Sequence, residues 1–270
     1  MQFERAKAAL AGTRFADFRT VEETGSTNAD MVEILRTQDP AEDRRPAVLV
    51  ADHQSAGRGR RDRTWDAPPG SSLLMSIGLP VGDIDRSRWP LVNAAVALAA
   101  VDAAPDLRIK WPNDLVEVGS GPDGADLKVG GILAELHEDL GGMGACMIVG
   151  IGLNLNWGQM PPELADTATS LDIILGGDVV ADVIVTDLLV SLDSKWLGML
   201  GRSAASIEPF VDAYRSRSTT IGRHVRVELD GDRELVGTAV DVDDSGALVV
   251  EGEDGTRSTV TVGDVVHLRV

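Results

Sequence analysis

Four arginines and two glycines lie within the nine residues GRGRRDRTW at positions 57–65, which we call the basic loop. Glycines let backbone N–H groups come close to phosphate oxygens, and arginine forks bind phosphate or carboxylate groups through paired hydrogen bonds. The G-x-G-x-x-G dinucleotide motif is incomplete, because Asp62 stands where the third glycine would be. The basic loop therefore predicts either an anion-binding clamp or a solvated hairpin tip.

The segment KWPND, which begins at Lys110, places a cation, an amide and a carboxylate within five residues. Pro112 favours extended backbone in the residue before it, so Asn113 and Asp114 are predicted to form a turn. Lys110, Asn113 and Asp114 have the chemistry to bind a nucleotide phosphate, a purine edge and a hydrated Mg²⁺, respectively. A turn that binds no ligand is the alternative.

Lysine is rare in this chain, since only 4 of its 25 basic residues are lysines. Lys128 begins the apolar segment KVGGILAEL, a predicted strand in which Gly130 and Gly131 expose the backbone. A half-buried lysine requires an anionic partner, whereas a surface lysine does not. The composition favours a function for Lys110 and Lys128, with ordinary surface lysines as the alternative.

Two amides interrupt the apolar segment CMIVGIGLNLN at 146–156. Asn154 and Asn156 are two residues apart, so a strand would place both on one side. Such amides are either satisfied core groups or contacts to a ligand, and the sequence supports both interpretations equally.

Short strands and helices are predicted to position these segments. We predict strands at 47–52, 71–79, 107–111, 128–136 and 146–156, and helices at 28–37, 91–104, 187–200 and 206–217. The residues STN supply the N-terminal cap of the first helix, in which Thr27 and Asp30 have the spacing of a capping box. A glycine-rich loop is predicted between positions 116 and 127.

The pattern changes after position 218, where five short strands with alternating faces follow one another. Turn signals separate these strands, including Asp230-Gly231. We therefore predict a small antiparallel barrel of about 50 residues. The predicted domains are residues 1–218 and 219–270.

The net charge of −18 and the pI near 4.5 argue against general binding to nucleic acids or anionic membranes. No apolar run reaches the roughly 18 residues of a membrane span, and the N-terminus lacks a signal-peptide core. The single cysteine, Cys146, excludes an intrachain disulfide and a multi-cysteine zinc site, which fits a cytoplasmic protein. The four histidines form no Ser-His-Asp, Cys-His or metal-ligand spacing, so catalysis by a protein nucleophile is not indicated.

Taken in order, STN, Gln54, the basic loop, KWPND, KVGGILAEL and GIGLNLN resemble the motifs of biotin protein ligases. Each motif alone is moderately specific, but their common order makes the resemblance strong. It implies an α+β fold in which a mixed-sheet catalytic domain, like that of class II aminoacyl-tRNA synthetases, precedes an SH3-like β-barrel. About 20 residues precede the first motif, too few for a helix-turn-helix domain. The monofunctional type without a DNA-binding domain is therefore expected.

The resemblance implies a biotin site built from the first helix, the basic loop and the lysine-bearing strand. Its residues are Ser26, Thr27, Asn28, Gln54, Gly57, Arg58, Gly59, Arg60, Lys128, Gly130 and Gly131. The first four would meet the ureido ring, and the basic loop would close over biotin and the adenylate. Lys128 would lie near the biotin carboxylate and the α-phosphate, and the two strand glycines would line the valeryl chain.

An ATP and adenylate site is implied beside it. Its residues are Arg60, Arg61, Trp65, Lys110, Asn113, Asp114 and Asn154. Trp65 would pack against the adenine, and Asp114 would contact Mg²⁺. Lys128, Arg60 and Lys110 are implied as the catalytic residues. Asp62 departs from the family, which usually has glycine at that position.

The resemblance implies that biotin and ATP form biotinyl-5′-AMP, and that the biotinyl group then passes to a lysine of a carboxylase. The implied partner is the biotin carboxyl carrier domain of an acyl-CoA or pyruvate carboxylase. Neither DNA nor a membrane is expected as a partner, and a monomer or weak homodimer is expected. A non-catalytic biotin-binding or transcriptional module and a lipoate ligase are the alternatives, and the arginine-rich loop favours biotin over lipoate.

Overall fold

The computed structural model describes residues 2–38, 45–61, 63–142, 144–201, 206–229 and 233–268, so Asp62 and the predicted turn at 230–231 lie outside the described residues. The helices are α1 Glu4–Leu10, α2 Thr27–Thr37, α3 Leu91–Ala103, α4 Leu171–Leu175, α5 Ala181–Ser191, α6 Leu197–Leu200 and α7 Glu208–Arg217. The strands are β1 Asp17–Thr24, β2 Ala47–Gln54, β3 Ser72–Pro80, β4 Arg108–Lys110, β5 Asp114–Glu117, β6 Leu127–His137, β7 Cys146–Asn154, β8 His224–Glu228, β9 Glu234–Val242, β10 Leu248–Glu251, β11 Arg257–Val260 and β12 Asp264–His267. A π-helical stretch, Leu192–Trp196, joins α5 to α6.

A seven-stranded mixed sheet with the order β1-β2-β3-β7-β6-β5-β4 is the scaffold of the molecule. β1 and β2 are parallel, and the other neighbouring strands are antiparallel. Along β7, Val149 and Ile151 enter the main core, whereas Ile148 joins a smaller core beneath α2. Gly150 and Gly152 follow Ile148 on the α2 face because side chains alternate along a strand. At these two positions β7 therefore carries no side chain on the α2 face.

The opposite face of the sheet carries most of the apolar core. Ten of the thirteen residues of α3 are buried, which explains why this helix is apolar on all sides. It packs against the sheet, α5 and α7. No helix in the described ranges combines the length and apolar character that crossing a lipid bilayer requires.

The predicted barrel is a five-stranded antiparallel sheet with the order β11-β10-β9-β8-β12. Its buried side chains, such as Val227 and Val250, belong to the same apolar cluster as the core around α3. Trp111 Nε1 donates to the carbonyl of Gly246 at 3.0 Å, and Thr219 N donates to the carbonyl of Ile109 at 2.8 Å. The barrel is thus fixed directly against the end of β4, next to KWPND.

The structure differs from the sequence predictions at several places. α1, β1 and α4 were not predicted, and β1 is an edge strand whose burial does not alternate clearly. The helix predicted at 187–200 begins earlier, at Ala181, and is interrupted by the π-helical stretch. Asp114 is not in a turn but begins β5, where it pairs with Gly131. The capping box is also wrong, because α2 has Ser26 at its N-cap without a side-chain cap bond, and Asp30 instead accepts a hydrogen bond from Thr24.

Candidate active site

Most of the predicted site residues surround one cavity of about 380 Å³ on the glycine face of β6 and β7. They are Ser26, Thr27, Asn28, Gln54, Arg58, Gly59, Arg60, Trp65, Lys110, Asn113, Asp114, Lys128 and Gly131. Gly57 and Arg61 line an adjoining cavity of about 820 Å³ between the basic loop, α3, α7 and the barrel. Segments far apart in the sequence therefore converge on one place.

Polar side chains at one end of the smaller cavity form a continuous hydrogen-bonded row. Thr27 donates to Gln54 Oε1 through its backbone N and its hydroxyl, at 2.7 and 2.9 Å. Ser76 Oγ lies 2.7 Å from Thr27 Oγ1 and 2.6 Å from Asn28 Oδ1. Asn28 Nδ2 donates to Glu135 Oε2 at 2.6 Å. The row holds amide and hydroxyl groups in fixed directions for a neutral polar ligand group.

Ser76 and Glu135 were not among the predicted site residues, although both support it. Ser76 is fully buried on β3 and is a polar residue within an apolar strand, a signal that could have identified it. Glu135 joins Asn28 to Arg58, whose Nη2 lies 3.1 Å from Glu135 Oε2. Through Glu135 the polar row is linked to the basic loop.

The floor of the smaller cavity is made by facing glycines of β6 and β7. Gly131 pairs with Gly152 across the two strands. A Cβ atom on Gly152 would lie 2.5 Å from Cε2 of Trp65, so the indole rests directly on the strand. Trp65 Nε1 is buried and has no hydrogen-bond partner among the described residues. The glycines thus form the floor of a trough that the Trp65 ring covers.

Cations occupy the other end of the trough. Lys128 Nζ lies 2.6 Å from Asp114 Oδ1 and 5.7 Å from the centre of the Trp65 ring. The backbone of Lys128 is fixed by hydrogen bonds with Thr167 and Thr169. Lys110 lines the same cavity from the end of β4. An anionic ligand group would meet both ammonium groups here.

The basic loop is a short hairpin folded over the trough, and its binding of an anion stays a prediction. Arg58 and Thr64 form an antiparallel bridge, and Gly59 N donates to the carbonyl of Arg63 at 2.6 Å. A Cβ atom on Gly57 would lie 2.3 Å from the carbonyl oxygen of Trp65, which explains the need for glycine there. The tight hairpin holds Arg58, Arg60 and Arg63 at the smaller cavity.

Gly130 and Asn154 line neither of the two cavities. Asn154 Nδ2 donates to the carbonyl of Thr169 at 3.0 Å, and its Oδ1 accepts from Ser72 Oγ at 3.4 Å. Asn156 makes two hydrogen bonds with the backbone of Val179. These amides are satisfied within the protein, and the nucleotide contact of Asn154 stays a prediction.

Comparison with known proteins identifies the family. Residues 25–154 match the biotin/lipoate A/B protein ligase family, and residues 220–268 match the biotin protein ligase C-terminal domain. The chain is 36% identical to a biotin–[acetyl-CoA-carboxylase] ligase of Mycobacterium tuberculosis, over 96% of this chain and 92% of that one. The chain belongs to the biotin protein ligase family. A second ligase of this kind, from Paracoccus denitrificans, is 30% identical over 90% of this chain and 97% of its own length.

The fold of this biotin protein ligase agrees with a solved relative. A biotin protein ligase from Aquifex aeolicus, in complex with biotin and ATP, superposes with a TM-score of 0.76 and 25% identity, covering 95% of this chain and all of that one. The predicted fold class, a mixed-sheet catalytic domain with a C-terminal SH3-like barrel, is confirmed.

Asp114 is the residue expected to contact Mg²⁺ in a biotin protein ligase. Within the described ranges, no cluster of three or more His, Cys, Asp or Glu side chains could hold a metal ion. Magnesium usually keeps several waters and binds one or two carboxylates together with substrate phosphates. Asp114 is a single carboxylate that already pairs with Lys128, so its contact with Mg²⁺ stays a prediction.

A polar cluster joins the barrel of this biotin protein ligase to the active site. His267 Nδ1 lies 3.4 Å from Asp126 Oδ2, and His267 Nε2 lies 3.2 Å from Thr220 Oγ1. Thr220 Oγ1 also accepts from the backbone N of Trp111 at 3.0 Å. Burial, together with the charges of Lys110 and Arg223, lowers the pKa of His267 to about 4. A neutral histidine thus sits between the barrel and KWPND.

Proposed function

We propose that this protein is an ATP-dependent ligase that activates biotin as biotinyl-5′-AMP and transfers the biotinyl group to a lysine of a biotin carboxyl carrier domain. In the first step the biotin carboxylate oxygen bonds to the α-phosphorus of ATP and pyrophosphate leaves. In the second step the lysine amine attacks the acyl carbon, an amide forms, and AMP and a proton are released.

One observation carries the proposal: a single trough joins a neutral polar end to a cationic end. Biotin has the matching shape, with a ureido ring at one end, an apolar ring and chain in the middle, and a carboxylate at the other end. The row of Thr27, Asn28 and Gln54 suits the ureido group, and the apolar part would lie beside the Trp65 ring that rests on the glycines. Lys128 and Lys110 suit the carboxylate and the phosphate that it attacks.

The residues act by positioning and by electrostatics. A carboxylate and a polyphosphate repel each other, and fixed cations lower the cost of bringing them together. Lys128, Lys110 and Arg60 line the cavity where the two anions would meet. A closed basic loop would also keep water from the reactive adenylate.

We also propose that the domain boundary lies at residues 218–219 and that Mg²⁺ enters with ATP. The ion would neutralise phosphate charge, and Asp114 is the residue that we propose would contact it. The acceptor that we propose is the carrier domain of an acyl-CoA or pyruvate carboxylase. The two relatives are named as ligases that act on acetyl-CoA carboxylase, and our proposal includes other biotin-dependent carboxylases as acceptors.

The proposal is tested by measuring pyrophosphate release with ATP and either biotin or lipoate. We expect release with biotin and little with lipoate, followed by labelling of a carrier domain that keeps its acceptor lysine. A carrier domain with that lysine changed to arginine is the control. Release with lipoate alone would establish a lipoate ligase, and biotin binding without pyrophosphate release would establish a non-catalytic module.

A further inference from the structure

One carboxylate of the barrel, that of Asp264 at the start of β12, holds three arginines of the basic loop. Asp264 Oδ1 lies 3.1 Å from Arg60 Nη1. Asp264 Oδ2 lies 2.8 Å from Arg63 Nη2 and 3.6 Å from Arg61 Nη1. The sequence separation of about 200 residues means that these contacts tie the two domains together across the cavity.

Neighbouring backbone groups strengthen this attachment. Arg60 donates to the carbonyl of Gly263 at 3.3 Å and to Asn113 Oδ1 at 3.1 Å. Arg61 donates to the carbonyl of Glu228, the residue that pairs with Asp264 across β8 and β12. The hairpin is therefore seated on one edge of the barrel and on the KWPND segment at the same time.

Asp264 is shared rather than paired with one cation. Three guanidinium groups of the basic loop approach its carboxylate. The Asp264 side chain is 16% exposed and that of Arg60 is 22% exposed, so this pair is screened little by water, whereas that of Arg63 is 69% exposed. Arg60 and Asp264 both line the smaller cavity, so a phosphate bound there would join the same cluster.

We infer that Asp264 is a positioning residue that keeps the basic loop closed over the adenylate, so that the barrel controls how long the intermediate stays bound. The ligand side of this inference rests on the proposed function. Asp264 also competes with phosphate for the arginines. Loss of Asp264 would open the loop, which weakens ATP binding. It would also release the arginines for the ATP phosphates, which strengthens ATP binding, so the two effects oppose each other. They do not oppose each other in retention, because an open loop releases the intermediate.

The loop contact is tested without any substrate by limited trypsin digestion, since trypsin cleaves after arginine. We expect Asp264→Asn to increase the cleavage rate within residues 57–65 about tenfold or more, because hydrogen bonds to charged groups are strong enough to account for about 10- to 100-fold. Glu251→Gln is the matched control, because Glu251 is a barrel carboxylate that pairs with Arg257 at 2.8 Å on other strands. Equal cleavage of parent, control and Asp264→Asn would overturn the inference.

Asp264→Glu guards against misfolding as the explanation. Asp264→Glu keeps the carboxylate. The rate of cleavage after the loop arginines, followed by mass spectrometry, should therefore fall back toward the parental rate. If a folded Asp264→Glu protein were cleaved in the loop as fast as Asp264→Asn, the carboxylate would not be the anchor.

Retention is then measured by trapping the intermediate on a filter. Asp264→Asn should release biotinyl-AMP about tenfold faster than the parent, while the KM for ATP changes less than about threefold, because the two effects on ATP oppose each other. A larger change in KM than in release would contradict the inference. If the parent formed no adenylate, the proposed function would fail, and the digestion result would still decide the role of Asp264.

Discussion

Before any ligand binds, Lys128 forms an ion pair with Asp114. Its partner Asp114 lies 2.6 Å away, and the side chain of Lys128 is 36% exposed, so an anionic ligand can reach the ammonium. Negative charge builds on the α-phosphate oxygens as the carboxylate attacks, and a cation held beside them binds the transition state more tightly than the substrates. We therefore expect Lys128 to act in the chemical step more than in binding.

Lys128→Ala should slow adenylate formation by about 10²–10³-fold while weakening biotin binding less, because one preorganised electrostatic contact is lost. Lys128→Arg should restore little, since a planar fork does not fit the place of a compact ammonium. Pyrophosphate release without acceptor measures the first step. Lys7→Ala is the control, because Lys7 pairs with the exposed Glu4 at 3.3 Å and lines neither cavity. Parental rates in Lys128→Ala would show that Lys128 is an ordinary surface lysine.

At the scale of elements, the trough exists because β7 changes character along its length. On the α2 face, Cys146 and Ile148 pack in the smaller core, whereas Gly150 and Gly152 let Asn28 and Trp65 lie directly against the backbone. β7 is paired on both sides, with β3 and with β6, so its position does not depend on these side chains. A small side chain added here would fill the site without removing the strand.

Gly152→Ala should therefore weaken ligand binding while the protein stays folded. Its methyl group would come 2.5 Å from the Trp65 ring and push the indole off the floor. Overpacking of this kind costs about 1–3 kcal/mol, or about 5- to 100-fold in affinity if the site bears the cost. Titration calorimetry with biotin measures the effect, and Gly198→Ala, where a Cβ would meet nothing within 4 Å, is the control. Unchanged affinity would mean that the ligand does not use this floor.

The sequence predicted the candidate site residues that lie in short, unusual segments. It did not predict the residues that reach the site only through long-range packing. The basic loop, KWPND and β6 each carry unusual residues within a few positions, so their chemistry was visible. Asp264 gave no such signal, since it is one of many acidic residues and meets Arg60 only after the chain has folded. β5 was missed because a strand of four residues directly after a proline turn shows no period. Thr27 was misassigned because its hydroxyl bonds to Gln54 and not within its own helix.

At the scale of the whole molecule, the barrel and the catalytic domain share a core and a polar junction. Asp126 is almost fully buried at this junction and lies 3.1 Å from Arg223 and 3.4 Å from His267. His267 reaches Trp111 through Thr220, so the junction supports the segment that lines the active site. Protonation of His267 would place another cation beside Arg223 and Lys110.

His267 should make the protein less stable in acid. Its folded pKa of about 4 lies below the ordinary value of 6.5, so the unfolded chain binds the proton first as the pH falls. Stability from this group is complete above about pH 6.5 and is lost between about pH 6.5 and 4, by at most about 3 kcal/mol. The His267→Gln protein should not show this pH-dependent loss of stability, because glutamine does not titrate. Urea unfolding across this range should show the parent losing free energy of unfolding relative to His267→Gln as the pH falls. A constant difference between the two proteins at every pH would show that His267 is not held neutral at the junction.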